Sequence, residues 1–115
     1  MKLSIVMPVY NEEATLREIV ARVLATPHEK EVLLVDDCSR DKSAEIIAEL
    51  KAAHPEVRSF RHETNKGKGA ALRTGFQNVE GDAVVIQDAD LEYDPAEYEK
   101  LLVPFEAGEA DVVYG

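Results

Sequence analysis

Asp88 and Asp90 stand one residue apart, one residue (Gln87) after the apolar run Val84-Val85-Ile86, and Glu92 follows two residues later. Carboxylates gathered this closely repel one another. A hard divalent cation is the partner that best makes the gathering favourable. Mg²⁺ takes oxygen ligands, commonly one or two carboxylates from protein, and completes its shell with water and phosphate oxygens. In an Asp-x-Asp pair one carboxylate can meet the metal directly. The other can reach it through water, or bind a sugar hydroxyl. The cation then lets an anionic diphosphate approach an acidic rim. Taken alone the pattern is short, and an acidic turn after a strand explains it equally well. Its weight comes from the residues that accompany it.

Two other apolar runs end in acid. "LSIVMPV" (3–9) leads to Tyr10, Asn11, Glu12 and Glu13, and "EVLLVDD" (31–37) ends on Asp36 and Asp37. A fourth stretch, "NKGKGAA" (65–71), is basic and rich in glycine. Its glycines free the backbone, Lys66 and Lys68 add positive charge, and a helix N-terminus follows, a combination suited to phosphate. The stretch lacks the Gly-Lys-Ser/Thr ending of a P-loop. A solvated turn with two surface lysines is the plain alternative.

The hydrophobic periods say what must position these groups. The runs at 3–9, 31–37 and 82–87 read as buried strands, and 57–62 alternates as a strand nearer an edge. Between them, 11–26 carries Leu16, Ile19, Val20, Val23 and Leu24 at helical spacing, with Asn11 or a neighbour as cap. The segment 41–54 places Ile46, Ile47 and Leu50 on one face, with Asp41 or Ser39 as cap. Segment 67–79 is a short helix after the glycines. Segment 94–106 opens on Asp94, Pro95 and Glu97, a helix-start pattern. A fifth strand begins near Asp111. Strands and helices therefore alternate, which predicts an α/β fold: a mostly parallel sheet with helices on both faces. Ligands of such sheets sit beyond the C-terminal strand ends, where strand order reverses. Strand order 3-2-1-4 brings Glu12, Asp37, Asp88 and Asp90 to one rim.

Composition narrows the function classes. At 115 residues the chain is one domain, and 45% hydrophobic content excludes disorder. A net charge of −10 argues against a nucleic-acid partner, which needs a basic face. The acid is concentrated in residues 80–111 and the base in 51–73. The single cysteine, Cys38, forms no internal disulfide, which fits a reducing, cytoplasmic setting. The N-terminal apolar run is short for a signal peptide, and no segment approaches the ~18 apolar residues of a membrane span.

Together "SIVMPVYNEE", "VLLVDDCSRDKSAEI", "NKGKGAALRTGF" and "VVIQDADLEYDP" closely resemble the N-terminal half of the family-2 inverting glycosyltransferases, nearest to the polyprenol (dolichol) phosphate mannosyl- and glucosyltransferases. The resemblance spans the whole chain. It implies a GT-A fold, a nucleoside diphosphate sugar as donor (GDP-mannose or UDP-glucose type), Mg²⁺ or Mn²⁺ as cofactor, and inversion at the sugar. It assigns Pro8, Tyr10 and Glu12 to the base and ribose. Val35, Asp36 and Asp37 match the family's Val-Asp-Asp, with Asp37 favoured to accept hydrogen bonds from the base. Asp88, Ala89 and Asp90 match its Asp-x-Asp, with Ala89 bringing backbone close to ribose and diphosphate. Lys68 would meet phosphate. Asp90 is the first choice as metal ligand, with Asp88 and Glu92 beside it. Polyprenol-phosphate members commonly have Leu-Gln where this chain has Leu91-Glu92, which leaves the third ligand open.

Family members continue well beyond a fifth strand, into a half that holds the acceptor. Residues 1–115 therefore correspond to the nucleotide-sugar-binding part. The implied acceptor is a lipid phosphate at the cytoplasmic face of the membrane. Such an anion needs no general base, and no residue here is well placed as one. A donor-binding fragment without turnover of its own is the alternative, with an open fifth-strand edge expected to favour a homodimer. Two other classes fit less well. A phospho-accepting receiver domain would begin with the acid-pair strand and would need a lysine that is missing here. A sugar-phosphate nucleotidyltransferase would carry its glycine-rich loop directly after the first strand.

Overall fold

The computed structural model describes residues 2–87, residue 89 and the backbone of 112–114. The elements follow the alternation read from the sequence: β1 (Lys2–Val9), α1 (Leu16–Leu24), β2 (Glu29–Asp36), α2 (Ser43–Ala53), β3 (Val57–Arg61), α3 (Lys68–Phe76), β4 (Ala83–Ile86) and β5 (Val112–Tyr114). The expected helix over 94–106 lies outside the described residues.

All five strands are parallel, in the order β3-β2-β1-β4-β5. The chain builds the sheet outward from β1 to β3, then crosses back to the other side of β1. The order reverses between β1 and β4, so the crevice for a ligand opens at their C-terminal ends. The edge position expected for the 57–62 segment is that of β3.

β1 is the central strand, and both of its faces are covered. Ile5 pairs with Val32 and Val85 across the sheet. Leu3, Ile5, Met7 and Val9 join Val32, Leu34, Ala83 and Val85 in one core with Leu16, Ile19, Val20 and Val23 of α1 and Ile46 and Ile47 of α2. Each such side chain contributes about 1.5–3 kcal/mol on burial, which outweighs the β-branched residues' poor helix propensity in α1. The alternate residues face α3. There Gly75 lies against Val6, so close that a Cβ would come within 2.4 Å of its Cγ1. A helix can approach the sheet this closely only through glycine.

The helix starts differ from expectation. Residues 11–15 are a loop, and α1 begins at Leu16 after Thr15. Asn11 does not cap the helix. It adopts a positive φ of 53°, a conformation asparagine tolerates better than most residues. α2 starts at Ser43, later than expected, with Lys42 at its N-cap. Asp41 still serves its first turn, because its Oδ1 accepts from the Ser43 amide at 2.8 Å. Ser39 accepts from the Asn11 amide instead of capping α2. Gly67 precedes α3 with φ 92°.

Candidate nucleotide-sugar site

A cleft of about 530 Å³ opens at the C-terminal strand ends, within the range of small-molecule sites. Pro8 and Val9 from the end of β1, with Tyr10 and Glu12 from the loop after it, form one side. Asp37 borders it after β2. Asn65, Gly67, Lys68 and Ala71 come from the glycine loop and the start of α3, and Ala89 follows β4. Tyr10 is 44% exposed, the one large hydrophobic side chain among the described residues that is. Its ring is available to stack on a planar ligand.

The two loops after β1 and β2 are stitched together. The Asn11 amide donates to Ser39 Oγ at 3.0 Å, the Glu12 amide to Ser43 Oγ at 2.9 Å, and the Glu13 amide to Asp41 Oδ2 at 3.1 Å. In return the Arg40 amide donates to Asn11 Oδ1 at 2.8 Å and the Lys42 amide to Glu13 Oε2 at 3.3 Å. Backbone that would otherwise be loose therefore presents Tyr10 and Glu12 from a held frame. Asp41 is drawn into this frame. Burial alone would raise its pKa, but the Ser43 hydroxyl and the Ser43 and Glu13 amides outweigh it and hold the carboxyl below its ordinary value.

Asp37 is almost wholly buried. Its Oδ1 accepts from His62 Nδ1 at 2.7 Å and from the Lys66 amide at 2.9 Å, and its Oδ2 from the Gly67 amide at 2.8 Å. Burial favours the neutral acid. The Lys66 amide, His62 and the Gly67 amide together overcome it, so the pKa lies below the usual carboxylate value and the group is an anion at neutral pH.

This geometry bears on two expectations. The Lys66 and Gly67 amides point at Asp37 and not at a ligand, so these two are no phosphate cradle. What this segment offers the cleft is Asn65, Gly67 and the start of α3 with Lys68. Asp37, expected to read the base, borders the cleft with three of about four acceptor positions used by His62 and the Lys66 and Gly67 amides.

Of the other expected residues, Pro8, Tyr10, Glu12, Lys68 and Ala89 line the cleft together. Val35 does not: it is fully buried within the sheet, paired with Pro8 and Phe60. Asp36 is buried away from the cleft, where Oδ1 accepts from the Ser39 amide and Oδ2 pairs with Arg61. Asp88, Asp90 and Glu92 lie outside the described residues, and so do the expected metal contacts. Among the described residues no group of three His, Cys, Asp or Glu side chains could hold a metal.

Several residues escaped the sequence reading. Asn65, Val9 and Ala71 line the cleft without a chemical signature. Thr15 donates its hydroxyl to the Ala89 carbonyl, tying the loop before α1 to the residue between Asp88 and Asp90. His62 sits in an unremarkable edge segment, and only its proximity to Asp37 marks it.

A parallel sheet with a cleft at its switch point, walled by a tyrosine, acids and a lysine, is the arrangement in which open α/β domains take up a ligand. Residues 4–115 match the model of glycosyl transferase family 2, and the chain belongs to that family. Similar proteins include an undecaprenyl-phosphate 4-deoxy-4-formamido-L-arabinose transferase of Shewanella sediminis, 43% identical over 92% of this chain and 34% of its own length. One of the same name from Pseudomonas fluorescens is 41% identical over 92% of this chain and 33% of its own length. The chain thus spans about a third of these relatives. Among solved structures, Staphylococcus aureus TarS 1–349 in complex with UDP-GlcNAc superposes with a TM-score of 0.76 at 30% identity, over 87% of this chain and 29% of that TarS 1–349 chain. The mannosyltransferase PcManGT of Pyrobaculum calidifontis, in complex with GDP-Man and Mn²⁺, gives 0.72 at 27% identity, over 76% and 27%.

Proposed function

We propose that this chain is the donor-binding part of a glycosyltransferase that moves a sugar from a nucleoside diphosphate to a polyprenol phosphate. One observation carries the reading: Tyr10, Glu12, Asp37, Lys68 and Ala89, drawn from four separate segments of the chain, meet at one cleft. The exposed Tyr10 ring suits a base. Glu12 is an acceptor suited to ribose hydroxyls. Lys68 and the start of α3 suit diphosphate oxygens. The relatives' names support undecaprenyl phosphate as the acceptor class and a modified pentose as the sugar, in place of the mannose or glucose first expected. The UDP-sugar in the TarS complex favours uridine. A GDP-hexose is the second reading, favoured by the PcManGT complex.

Inverting transfer needs the acceptor oxygen behind the anomeric carbon, and positioning supplies much of the rate. A lipid phosphate is already an anion, so no residue need remove a proton from it. The chain's own part is to bind the base, orient the sugar and hold the diphosphate. A divalent cation, when bound, would neutralise charge building on the leaving diphosphate. Asp90, with Asp88 and Glu92, would hold it. A lipid acceptor would put the reaction at the cytoplasmic face of a membrane, although among the described residues no helix is long and apolar enough to cross one.

Thermal-shift titration of the chain with UDP-, GDP- and dTDP-sugars, with and without Mn²⁺, tests the reading. A ligand at about a hundredfold excess over Kd adds about 2.7 kcal/mol, several degrees for a domain of this size. No shift with any nucleotide sugar would refute donor binding.

A further inference from the structure

We propose that His62 is a positioning residue of the nucleotide-sugar site: through Asp37 it holds the 65–68 loop in the arrangement that lines the cleft. The inference rests on the donor-binding reading above, and adds a residue that does not itself line the cleft.

His62 follows β3, and its amide extends the ladder by donating to the Asp36 carbonyl at 2.9 Å. The ring is 9% exposed and lies between the end of β2 and α3. Nδ1 is 2.7 Å from Asp37 Oδ1, and Nε2 is 2.8 Å from Thr74 Oγ1. An ionised carboxylate only accepts, so Nδ1 carries the proton. In the neutral ring Nε2 then accepts from the Thr74 hydroxyl. The neighbouring Gly75 is the point where α3 touches Val6 of the central strand. One chain of hydrogen bonds thus runs from the seat of α3 on the sheet, through Thr74, His62 and Asp37, to the Lys66 and Gly67 amides.

The ring does what packing alone would not. Asp37 is buried, and a buried carboxylate with too few donors takes up a proton or draws in water. Without the third donor it would grip the two loop amides less strongly. Gly67 holds a positive φ just before α3; its carbonyl accepts from the Ala71 amide within the helix, and its amide is held by Asp37. Release would move Asn65 and Lys68, on either side of the tethered amides, out of the cleft wall.

The test uses two substitutions that divide the ring. Asn places its amide nitrogen where Nδ1 was, and Gln places one where Nε2 was. His62→Asn keeps a donor to Asp37; His62→Gln keeps only the link to Thr74. The first readout is the Lys66 and Gly67 amide signals in ¹H–¹⁵N spectra of the ligand-free chain, with their solvent exchange. The second is the affinity for UDP and GDP by calorimetry. Wild-type-like amides in His62→Asn, and shifted, faster-exchanging amides in His62→Gln, are expected. Nucleotide affinity should fall about tenfold or more in His62→Gln alone, the worth of one charge-assisted hydrogen bond. If His62→Gln does not fold, Thr74→Val breaks the other end of the chain and should shift the same two amides. Unmoved amides in His62→Gln, or in Thr74→Val used in its place, overturn the proposal. Equal loss of affinity in the Asn and Gln variants does so too. A wild-type chain that binds no nucleotide refutes the donor-binding reading, and with it His62's role at that site. The amide spectra still decide separately whether His62 holds the loop.

Discussion

Glu31→Gln tests how the sheet is held at the end opposite the cleft. Glu31 is nearly fully buried at the start of β2. Its Oε2 accepts from Ser4 Oγ and from the Glu80 amide, both at 2.6 Å, and its Oε1 from Arg58 Nη1 at 2.8 Å. Arg58 also donates to the Asn78 carbonyl, and Ser4 Oγ accepts from the Gly81 amide. One carboxylate therefore ties β1, β2 and β3 to the connection before β4. Glutamine keeps the shape but turns one acceptor into a donor. If its oxygen stays on Ser4 and Glu80, its amide faces the guanidinium, donor against donor. Two retained bonds lose their charge assistance, at about 1 kcal/mol each, and the third is lost at about 1–3 kcal/mol. Arg58 is 33% exposed on its side chain and can turn to water, which discounts the last figure towards its lower end. The expected loss is about 3 kcal/mol, a substantial part of the roughly 5–15 kcal/mol holding a domain. Urea unfolding followed by circular dichroism at neutral pH should show the midpoint lowered with the slope unchanged. UDP affinity should stay at the wild-type value. A loss below about 0.5 kcal/mol, the scale of an ordinary surface change, would refute the reasoning.

Acid should weaken the fold in a defined window. Glu31, Asp37 and Asp41 all have pKa values below their ordinary ones despite burial that pushes the other way. A depressed folded-state pKa gives stability that is complete above the unfolded values near about 4 and lost as pH falls through the folded ones. Urea midpoints should therefore drop below about pH 4, and the gap between wild type and Glu31→Gln should close there. Gly75→Ala puts a Cβ onto Val6 and should cost about 1–3 kcal/mol by overpacking; denaturation of the Gly75→Ala, Val6→Ala double variant should recover part of it. Asn11→Ala forces alanine into a left-handed backbone and removes the Arg40 bond, so it should lower stability by about 1–2 kcal/mol and weaken UDP binding in calorimetry. Asp90→Ala should abolish the Mn²⁺-dependent part of nucleoside diphosphate affinity, and equal affinity with wild type in Mn²⁺ would sink that assignment.

The alternation of strand and helix was legible in the sequence because burial on both faces leaves unbroken apolar runs such as Ile5–Met7 and Leu33–Val35, while α1 repeats its apolar residues at helical spacing. Strand order followed from the same pattern, since parallel crossovers leave few topologies open. Helix starts did not follow. Asn11, Ser39 and Asp41 all have the side chains of caps, and a cap is chosen by whichever amide lies within reach. For Asn11 and Ser39 the amide within reach belonged to the facing loop, and Asp41 divides its carboxylate between that loop and the first turn of α2, a choice local sequence cannot describe. Asp37 teaches the same lesson at the site. Its position after an apolar run marked it as a rim acid, and it borders the cleft. Only the packed fold decided that His62, 25 residues away, and the Lys66 and Gly67 amides would use most of its acceptor capacity. Side-chain type states what a group can bond to; the tertiary structure decides which partner arrives first.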